Sequence, residues 1–255
     1  MNEKIASALK RVREGIRETV GLERNCTIAV LTVLIGDDPY KQLLNPCIES
    51  IKSYCKLHHL ELIVRDTPFY HDRPPAWTRI GLIKELFQTR SDISHILYLD
   101  ADVMITNSKF SIEPLVEILE KEKKSILFSI DGENNLNDGV ALYKNSKDTV
   151  RILETVERYI EYTNHPWWEN AAFMRAYIDD FFSNSQIMKI SNARLINSYI
   201  KGRCRWQFGD FIVHFAGLSN EDRAILIPAF YEFIKKIESK VPAVDFVRDH
   251  IGVGS

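Results

Sequence analysis

The amino-acid sequence predicts an α/β fold with a mainly parallel β-sheet flanked by helices. Apolar, β-branched runs alternate with helical patterns from residue 27 to about residue 162, as expected for strands joined by right-handed helical crossovers. The first run, CTIAVLTVLIG at residues 26–36, is typical of a strand buried on both faces of a parallel sheet. Apolar residues make up 45% of the chain and charged residues 27%, which is the balance of a globular protein.

Five apolar runs predict strands, at residues 26–36, 60–66, 95–100, 125–130 and 139–144. Helical spacing of apolar residues predicts helices over residues 77–87, 112–122, 150–160, about 170–182 and from about 220 onwards. Asp38 and Pro39 have the pattern of a cap and a first helical position, and we expect Pro46 to kink or restart the helix that begins there.

The N-terminal residues 1–25 place apolar side chains at helical spacing, at Ile5, Leu9, Val12, Ile16 and Val20. This pattern predicts an amphipathic helix ahead of a single domain that spans residues 26–255. Charges at every few positions exclude a secretory signal here, and no later stretch reaches about 18 uninterrupted apolar residues. We therefore expect a cytoplasmic protein without a transmembrane segment, unless the chain is a domain of a longer, anchored protein.

Charge and cysteine content exclude two classes of site. The formal charge is −2 and no dense block of lysine and arginine occurs, so we expect no nucleic acid among the partners. The four cysteines, Cys26, Cys47, Cys55 and Cys204, have no CxxC spacing and no nearby pair of histidines. They predict buried reduced thiols rather than a zinc site or a redox dithiol.

Two aspartates, Asp100 and Asp102, follow the third predicted strand in the run ILYLDADVMI. Open α/β sheets bind ligands at the carboxyl ends of their strands. A buried carboxylate without a partner is costly, and a divalent cation removes that cost while bridging the protein to substrate phosphates. The alternative is that one aspartate caps a turn while the other is solvated. The strand-end position favours a metal site.

A second reading of the same aspartates is a phosphatase of the haloacid-dehalogenase type. In that class Asp100 would be a nucleophile, Thr106 the small hydroxyl residue, and Asp179 and Asp180 a downstream metal pair. That nucleophile normally follows the first strand of its domain. Asp100 comes after two strands, which argues against this class.

Four further segments accompany the aspartate pair in order along the chain. They are PPAWTRIGLIKELF (74–87), NDGVALYKNS (137–146), HPWWENAAF (165–173) and GDFIVHFAG (209–217). Together these segments resemble glycosyltransferases of the GT-A fold, most of all families 34 and 8, over roughly residues 27–217. The resemblance implies a Rossmann-like nucleotide-diphospho-sugar transferase fold, with a donor-binding half over about 26–145 and an acceptor-side elaboration over about 146–255.

The resemblance also implies an activity and a metal site. The enzyme would move a hexose or pentose from a UDP-linked sugar to an unidentified acceptor with retention of configuration, and Asp100, Asp102 and His214 would hold manganese or magnesium. A lone histidine in an apolar strand is more often a hydrogen-bonded core residue than a ligand. Beside two carboxylates, the imidazole of His214 favours manganese over calcium. Asp100 and Ala101 would also lie beside the donor.

Further positions match the family's nucleotide and sugar contacts. Thr32, Val33 and Gly36 fall where relatives hold the base and ribose, and Trp77 and Arg79 where they approach the nucleotide and its phosphates. Trp77 would otherwise be a core side chain of an amphipathic helix. The remaining donor-side positions implied by the resemblance are Asn137, Gly139, Trp168, Asn170 and Gly217.

Asp138 and Glu169 match the acidic positions beside the reacting sugar. An Asn-Asp-Gly sequence is also a strong turn signal, and Glu169 could be a first-turn helix charge. The tandem Trp167 and Trp168 suit a sugar, whose apolar face stacks on an aromatic ring. The sequence departs from the family after Gly217, where LSNEDR replaces a lysine and proline that contact the diphosphate. Basic residues that could replace that lysine are Lys201, Arg203 and Arg205.

Two other functions compete with the transferase. A nucleotidyltransferase that makes sugar nucleotides should show a glycine-rich basic loop after the first strand, which LIGDDPYKQ lacks. A scaffold that only binds a sugar would share the same residues without turnover. The sequence does not predict the acceptor or the oligomeric state.

Overall fold

The computed structural model describes residues 27–183, 185–190 and 192–240. The predicted N-terminal helix over residues 1–25 and Cys26 lie outside the described residues. Within them, the strands are β1 (Thr27–Val33), β2 (Glu61–Arg65), β3 (Ile93–Leu99), β4 (Val103–Ile105), β5 (Ile126–Ile130), β6 (Leu136–Lys144), β7 (Ile187–Lys189), β8 (Ser198–Tyr199) and β9 (Ile212–His214). The helices are α1 (Asp38–His58), α2 (Thr78–Thr89), α3 (Glu113–Lys121), α4 (Lys147–Arg158), α5 (Trp168–Ser183) and α6 (Asn220–Ile237).

A six-stranded sheet forms the centre of the molecule, in the order β2-β1-β3-β6-β5-β7. β6 is antiparallel to β3 and β5, whereas the pairs β1–β2, β1–β3 and β5–β7 are parallel. All strands but β6 therefore run in one direction, which confirms the predicted mainly parallel α/β sheet. Because β1, β3 and β5 are fully or almost fully buried along their lengths, their apolar runs have no polar alternation.

Two apolar layers cover the two faces of this sheet. One contains Leu97, Leu99 and the buried side of α3, and the other contains Ile96, Tyr98 and the buried sides of α2 and α4. Successive residues of β3 enter opposite layers, as the period of two in a strand requires. The sheet is thus a rigid base for the loops at its carboxyl end.

A second, three-stranded sheet in the order β4-β9-β8 lies beside the carboxyl end of β3. β4 follows β3 after a short turn and pairs antiparallel with β9, while β8 pairs parallel with β9. Helix α6 packs on this part of the molecule through Ile227 and Ile234. This sheet joins two segments that are more than a hundred residues apart in sequence.

Two details of α1 differ from the sequence prediction. Asp37, not Asp38, is the N-cap, and its carboxylate accepts the backbone N–H of Tyr40 at 2.9 Å. Pro46 lies inside α1, which continues as one helix to His58. Burial of neighbouring apolar side chains, including Leu44 and Cys47, offsets the hydrogen bond that proline cannot donate.

The three cysteines among the described residues are free thiols, as predicted. Cys47 and Cys55 are buried and Cys204 is partly buried, and all three are unpaired. Burial raises the pKa of the Cys55 thiol to about 12, so this thiol is inert at neutral pH. Among the described residues, no helix combines the length and apolar character needed to cross a membrane.

Candidate functional site

A cleft of about 570 Å³ opens at the carboxyl end of β1 and β3. Its walls come from the end of β1, the turn after β3, the start of β6, the start of α5 and the segment between β9 and α6. This is the edge at which open α/β sheets bind ligands. The volume is in the range of cofactor and substrate pockets.

Asp100, Asp102 and His214 converge on this cleft. The Nε2 atom of His214 lies 3.6 Å from a carboxylate oxygen of Asp100 and 3.2 Å from one of Asp102. One ligand atom from each of the three residues lies within 4.8 Å of the others. The structure thus brings together the three residues that the sequence singled out as metal ligands.

Strand register explains this convergence. The turn after β3 carries both aspartates, and β4 begins directly after it with Val103, which is paired with His214 of β9. The Asp102 carbonyl accepts the backbone N–H of Phe215 at 3.0 Å. The Asp100 backbone N–H donates to the Gly139 carbonyl at 2.8 Å, which ties the turn to β6. Backbone hydrogen bonds to β6 and to the end of β9 therefore hold the turn that carries both aspartates next to His214.

The three residues form a donor set that suits a divalent cation. Carboxylate oxygens with one imidazole nitrogen are ligands that manganese accepts readily, and magnesium accepts the oxygens. Burial disfavours the charged form of Asp102, but the adjacent His214 and Arg223 outweigh it and lower the pKa of Asp102 to about 2. Asp102 is therefore ionised at neutral pH and available as a ligand.

The electrostatic setting of His214 matches this role. Burial favours the neutral imidazole, but Asp102 and Asp100 oppose it and raise the pKa of His214 above its usual value. The two carboxylates favour the protonated imidazole, and a cation bound there would compete with that proton.

Arg223 is a residue of the cleft that the sequence reasoning missed. Its guanidinium donates to the second carboxylate oxygen of Asp102 at 2.8 Å, and its side chain lines the cleft. Arg223 is in the first turn of α6, inside the LSNEDR run that lacks the lysine of the related families. The only signal in the sequence was a basic residue six positions after Gly217. The alternatives Lys201, Arg203 and Arg205 do not line the cleft.

A buried arginine holds two carboxylates together in the wall of the cleft. Arg79, which is fully buried in α2, donates to the Asp138 carboxylate, to the Asp138 backbone carbonyl at 2.7 Å and to Glu169 at 2.8 Å. Its guanidinium lies 4.6 Å from the ring centroid of Tyr98. Asp138 and Glu169 both line the cleft, whereas Arg79 lies behind them and does not. The structure does not bring Arg79 to a position that phosphates could contact.

Burial raises the pKa of Glu169 to about 8 and raises the pKa of Asp138, although the Arg79 guanidinium opposes both shifts. Asp138 and Glu169 share the single positive charge of Arg79. When both carboxylates are ionised, one negative charge therefore lacks a counter-ion. One oxygen of Glu169 is buried without a hydrogen-bond partner among the described residues. A positive charge that develops in the cleft would favour the ionised form of Glu169 and be stabilised by it.

Two tryptophans stand at the mouth of the cleft. Trp167 is 56% exposed and Trp168 is 48% exposed, and both line it. Trp168 has a φ of 43°, the left-handed region that residues other than glycine rarely adopt. Asn170 anchors this segment, because its side-chain Oδ1 accepts the Asp138 backbone N–H at 3.0 Å. Large apolar rings held exposed beside carboxylates are suited to the apolar face of a sugar.

Several predicted contact residues lie elsewhere than expected. The Trp77 side chain is fully buried, with Arg73 4.9 Å from its ring, so it belongs to the core and not to the cleft. Thr32 is also fully buried and does not line the cleft. Its neighbour at the end of β1, Val33, does line it. Gly36 makes room for the Tyr40 ring, which would lie 2.5 Å from a Cβ at that position.

Gly139 has a different role from the one expected. A Cβ at this position would lie 2.5 Å from a carboxylate oxygen of Asp100 and 2.5 Å from the His214 ring. The glycine therefore permits Asp100 and His214 to approach each other, and does not itself line the cleft. Ala101, Asn137 and Gly217 line the cleft as expected.

The structure does not place Asp179 and Asp180 near Asp100. The carboxylate of Asp180 accepts the backbone N–H groups of Gln186 and Ile187, and Asp179 pairs with Arg175. Neither aspartate lines the cleft. The phosphatase reading therefore lacks its downstream metal pair at this site.

Comparisons with known proteins point to one group. The galactosyl transferase GMA12/MNN10 family matches residues 25–126, which is less than half of the chain. An uncharacterized alpha-1,2-galactosyltransferase of Schizosaccharomyces pombe is 25% identical over 222 residues, which cover 68% of this chain and 57% of that protein. The chain thus spans little more than half the length of this relative.

Solved structures agree on the fold. A glycosyltransferase involved in glycosylation of the major capsid of PBCV-1 superposes with a TM-score of 0.62 at 15% identity, covering 80% of this chain and 99% of that one. The galactosyltransferase LgtC, in complex with donor and acceptor sugar analogs, gives 0.51 at 12% identity over 85% and 98% of the two chains. The chain therefore has the fold of GT-A glycosyltransferases and resembles the galactosyl transferase GMA12/MNN10 family.

Proposed function

We propose that the chain is a metal-dependent glycosyltransferase that moves a sugar from a UDP-linked donor to an acceptor hydroxyl with retention of configuration. One observation carries this proposal. Asp100, Asp102 and His214 meet in the same cleft that Asp138 and Glu169 line. A site for a cation and its diphosphate thus adjoins two carboxyl groups that can ionise beside a sugar that becomes positive as its bond to the diphosphate breaks.

Asp100, Asp102 and His214 would hold a divalent cation, manganese or magnesium. Such an ion, when bound, acts as a Lewis acid that neutralises the charge of the departing nucleoside diphosphate. Arg223 adds a second positive group at the edge of this set, because its guanidinium already lies against Asp102 inside the cleft. We assign to Arg223 the diphosphate contact that a lysine makes in the related families.

Asp138 and Glu169 form the sugar side of the cleft. Arg79 holds both carboxylates in fixed positions, so that they need no reorganisation when positive charge develops on the sugar. Asn170 fixes the backbone of Asp138 from the other side. This arrangement stabilises the cationic face of the sugar without requiring that either carboxylate attack it.

The nucleotide and the sugar occupy different walls. Val33 and Ala101 line the cleft, and we assign them to the base and ribose. We assign Asn137, which also lines the cleft, to the sugar hydroxyls. Trp167 and Trp168 at the mouth present aromatic faces to a sugar ring. Galactose is the first donor sugar to test, since the curated relative bears a galactosyltransferase name.

The test is hydrolysis of a panel of nucleotide sugars, with UDP-galactose first, in manganese and in a chelator. Slow donor hydrolysis is expected with the metal and not without it. Asp102→Asn should lose this hydrolysis while remaining folded. Asp148→Asn removes an exposed carboxylate of α4 and is the matched control, expected to turn over normally. Metal-independent hydrolysis, or normal turnover by Asp102→Asn, would refute the proposal.

The same panel separates the competing functions. A nucleotidyltransferase would form nucleotide sugar from a sugar phosphate and a nucleoside triphosphate, with release of pyrophosphate. A binding scaffold would show a donor-dependent rise in melting temperature without turnover. Either result would replace the transferase proposal.

A further inference from the structure

Asn197 lies behind the candidate metal ligand His214 and outside every motif that the sequence showed. It is fully buried and directly precedes β8, which pairs with β9. Its Oδ1 atom lies 3.0 Å from Nδ1 of His214. Its amide nitrogen lies 2.8 Å from the Ser129 hydroxyl and 2.9 Å from Oδ1 of Asn137. It also lies 2.8 Å from the Tyr199 hydroxyl.

Two backbone groups fix the direction of these hydrogen bonds. The Gly139 backbone N–H donates to Oδ1 of Asn137 at 3.1 Å, so the Asn137 atom that faces Asn197 is an acceptor. The Ser129 hydroxyl donates to the Asn137 backbone carbonyl at 2.9 Å, so it also accepts from Asn197. The Asn197 nitrogen must therefore point toward these acceptors, since the flipped amide would place oxygen against oxygen.

The oxygen of Asn197 consequently points at His214. An amide oxygen only accepts, so Nδ1 of His214 must carry the hydrogen. Tyr199 stacks on the imidazole, with ring centroids 5.6 Å apart and an angle of 23° between the planes, which holds the ring in place. The other nitrogen, Nε2, is then the one that faces Asp100 and Asp102.

We propose that Asn197 is a positioning residue that holds His214 in the Nδ1–H tautomer and so presents Nε2 as a metal ligand. The donation from Nδ1–H to Asn197 follows from the hydrogen bonds alone. Nε2 lies 3.2 Å from an oxygen of Asp102 and donates to it until a cation takes that place, so the tautomer itself rests on the proposed metal site. Buried partners of this kind fix the orientation and basicity of ligating histidines.

The same network connects the metal ligand to the sugar side of the cleft. With its oxygen occupied by Gly139 and Asn197, Asn137 has no partner for its amide nitrogen among the described residues. Asn137 lines the cleft, so this nitrogen is left to donate to a bound molecule. Asn197 therefore orients two cleft residues at once, the imidazole of His214 and the amide of Asn137.

Nitrogen-15 NMR of the imidazoles tests the tautomer directly, on protein saturated with the diamagnetic dication Zn²⁺ in place of Mn²⁺. The chain has seven histidines, and the His214 signals are those absent from His214→Gln. Wild-type His214 should show a protonated Nδ1 and an unprotonated Nε2. A metal-loaded ring that keeps its hydrogen on Nε2 would overturn the proposal.

Manganese affinity, followed by the electron paramagnetic resonance of free Mn²⁺, tests the purpose. Asn197→Leu should weaken binding by about 10- to 100-fold, the usual effect of losing a ligand's supporting partner. Asn197→Asp keeps an acceptor for Nδ1–H but turns an oxygen toward Oδ1 of Asn137, so it should bind more tightly than Asn197→Leu and less tightly than the wild type. Asn107→Leu removes another fully buried asparagine, outside the cleft, and should bind as the wild type does.

The outcomes separate this proposal from the proposed function. If His214→Ala weakens manganese binding but Asn197→Leu does not, the positioning role is wrong and the metal site stands. If His214→Ala and Asp102→Asn both bind manganese like the wild type, the metal site is wrong, and the positioning role of Asn197 falls with it. If Asn197→Leu does not fold, the wild-type tautomer and Asn197→Asp still give the answer.

Discussion

Replacement of Arg79 by methionine should destabilise the protein strongly, because it leaves two buried carboxylates without their cation. The side chains of Asp138 and Glu169 are only 6% and 8% exposed. Breaking a buried ion pair from one side costs about 3–5 kcal/mol. At about 2–4 °C per kcal/mol for a chain of this size, the melting temperature should fall by about 6–20 °C.

The loss of stability in Arg79→Met should be larger at high pH than at low pH. Burial raises the pKa of both carboxyls in the folded protein above their unfolded values. A raised carboxyl pKa makes unfolding easier as the pH rises, because the unfolded chain ionises first. The variant should therefore lose most stability at about pH 8, and less at about pH 5, where the buried carboxyls can stay protonated.

Urea unfolding at the two pH values measures this effect. Arg175→Met breaks an exposed pair with Asp179 and is the matched control, expected to change the stability little at either pH. Adding Asp138→Asn and Glu169→Gln to Arg79→Met should restore much of the stability, because no buried charge remains. A loss below about 1 kcal/mol, or one that is equal at both pH values, would show that Arg79 is not the required counter-ion.

Three further predictions concern the cleft. Gly139→Ala should weaken manganese binding, since its Cβ would lie 2.5 Å from the His214 ring, whereas a Cβ at Gly132 has no neighbour nearer than 3.6 Å and Gly132→Ala should bind normally. Manganese affinity should rise as the pH rises through the titration of His214 and then level off, because binding must displace a proton from this imidazole, whose pKa is raised. Titrations in which affinity does not change with pH would contradict this. Trp168→Ala should raise KM for a sugar substrate with little loss of stability, as an exposed ring contributes little to the core, and Phe208→Ala, which removes a ring of similar exposure, should leave KM unchanged.

The sequence predicted the main sheet because its strands are long, apolar and bounded by clear turn signals. It did not predict β4 or the pairing of β4 with β9, since three-residue strands have too few positions for a periodic pattern. Pro46 was expected to interrupt α1, but packing on both sides of it outweighs the local preference. Tertiary contacts thus decided the cases in which local propensity was ambiguous.

The candidate site was predictable where a residue type is unusual in its setting. Two aspartates at a strand end and one histidine in an apolar strand stand out from a single sequence, and the structure brings them together. Trp77 was indistinguishable from a functional residue until its full burial was visible. Arg223 and Asn197 gave no signal, because an arginine in a helical first turn and an asparagine among apolar residues are common. Their roles come from contacts across 121 and 17 positions of sequence.

The central claim is that two carboxylates and one imidazole hold a dication in this cleft. The most direct measurement is an anomalous difference map, at the manganese absorption edge, from crystals grown with Mn²⁺ and a nucleoside diphosphate. The account predicts a peak in contact with Asp100, Asp102 and Nε2 of His214, with the diphosphate between that peak and Arg223. A fully bound nucleotide with no peak at these three side chains would contradict it.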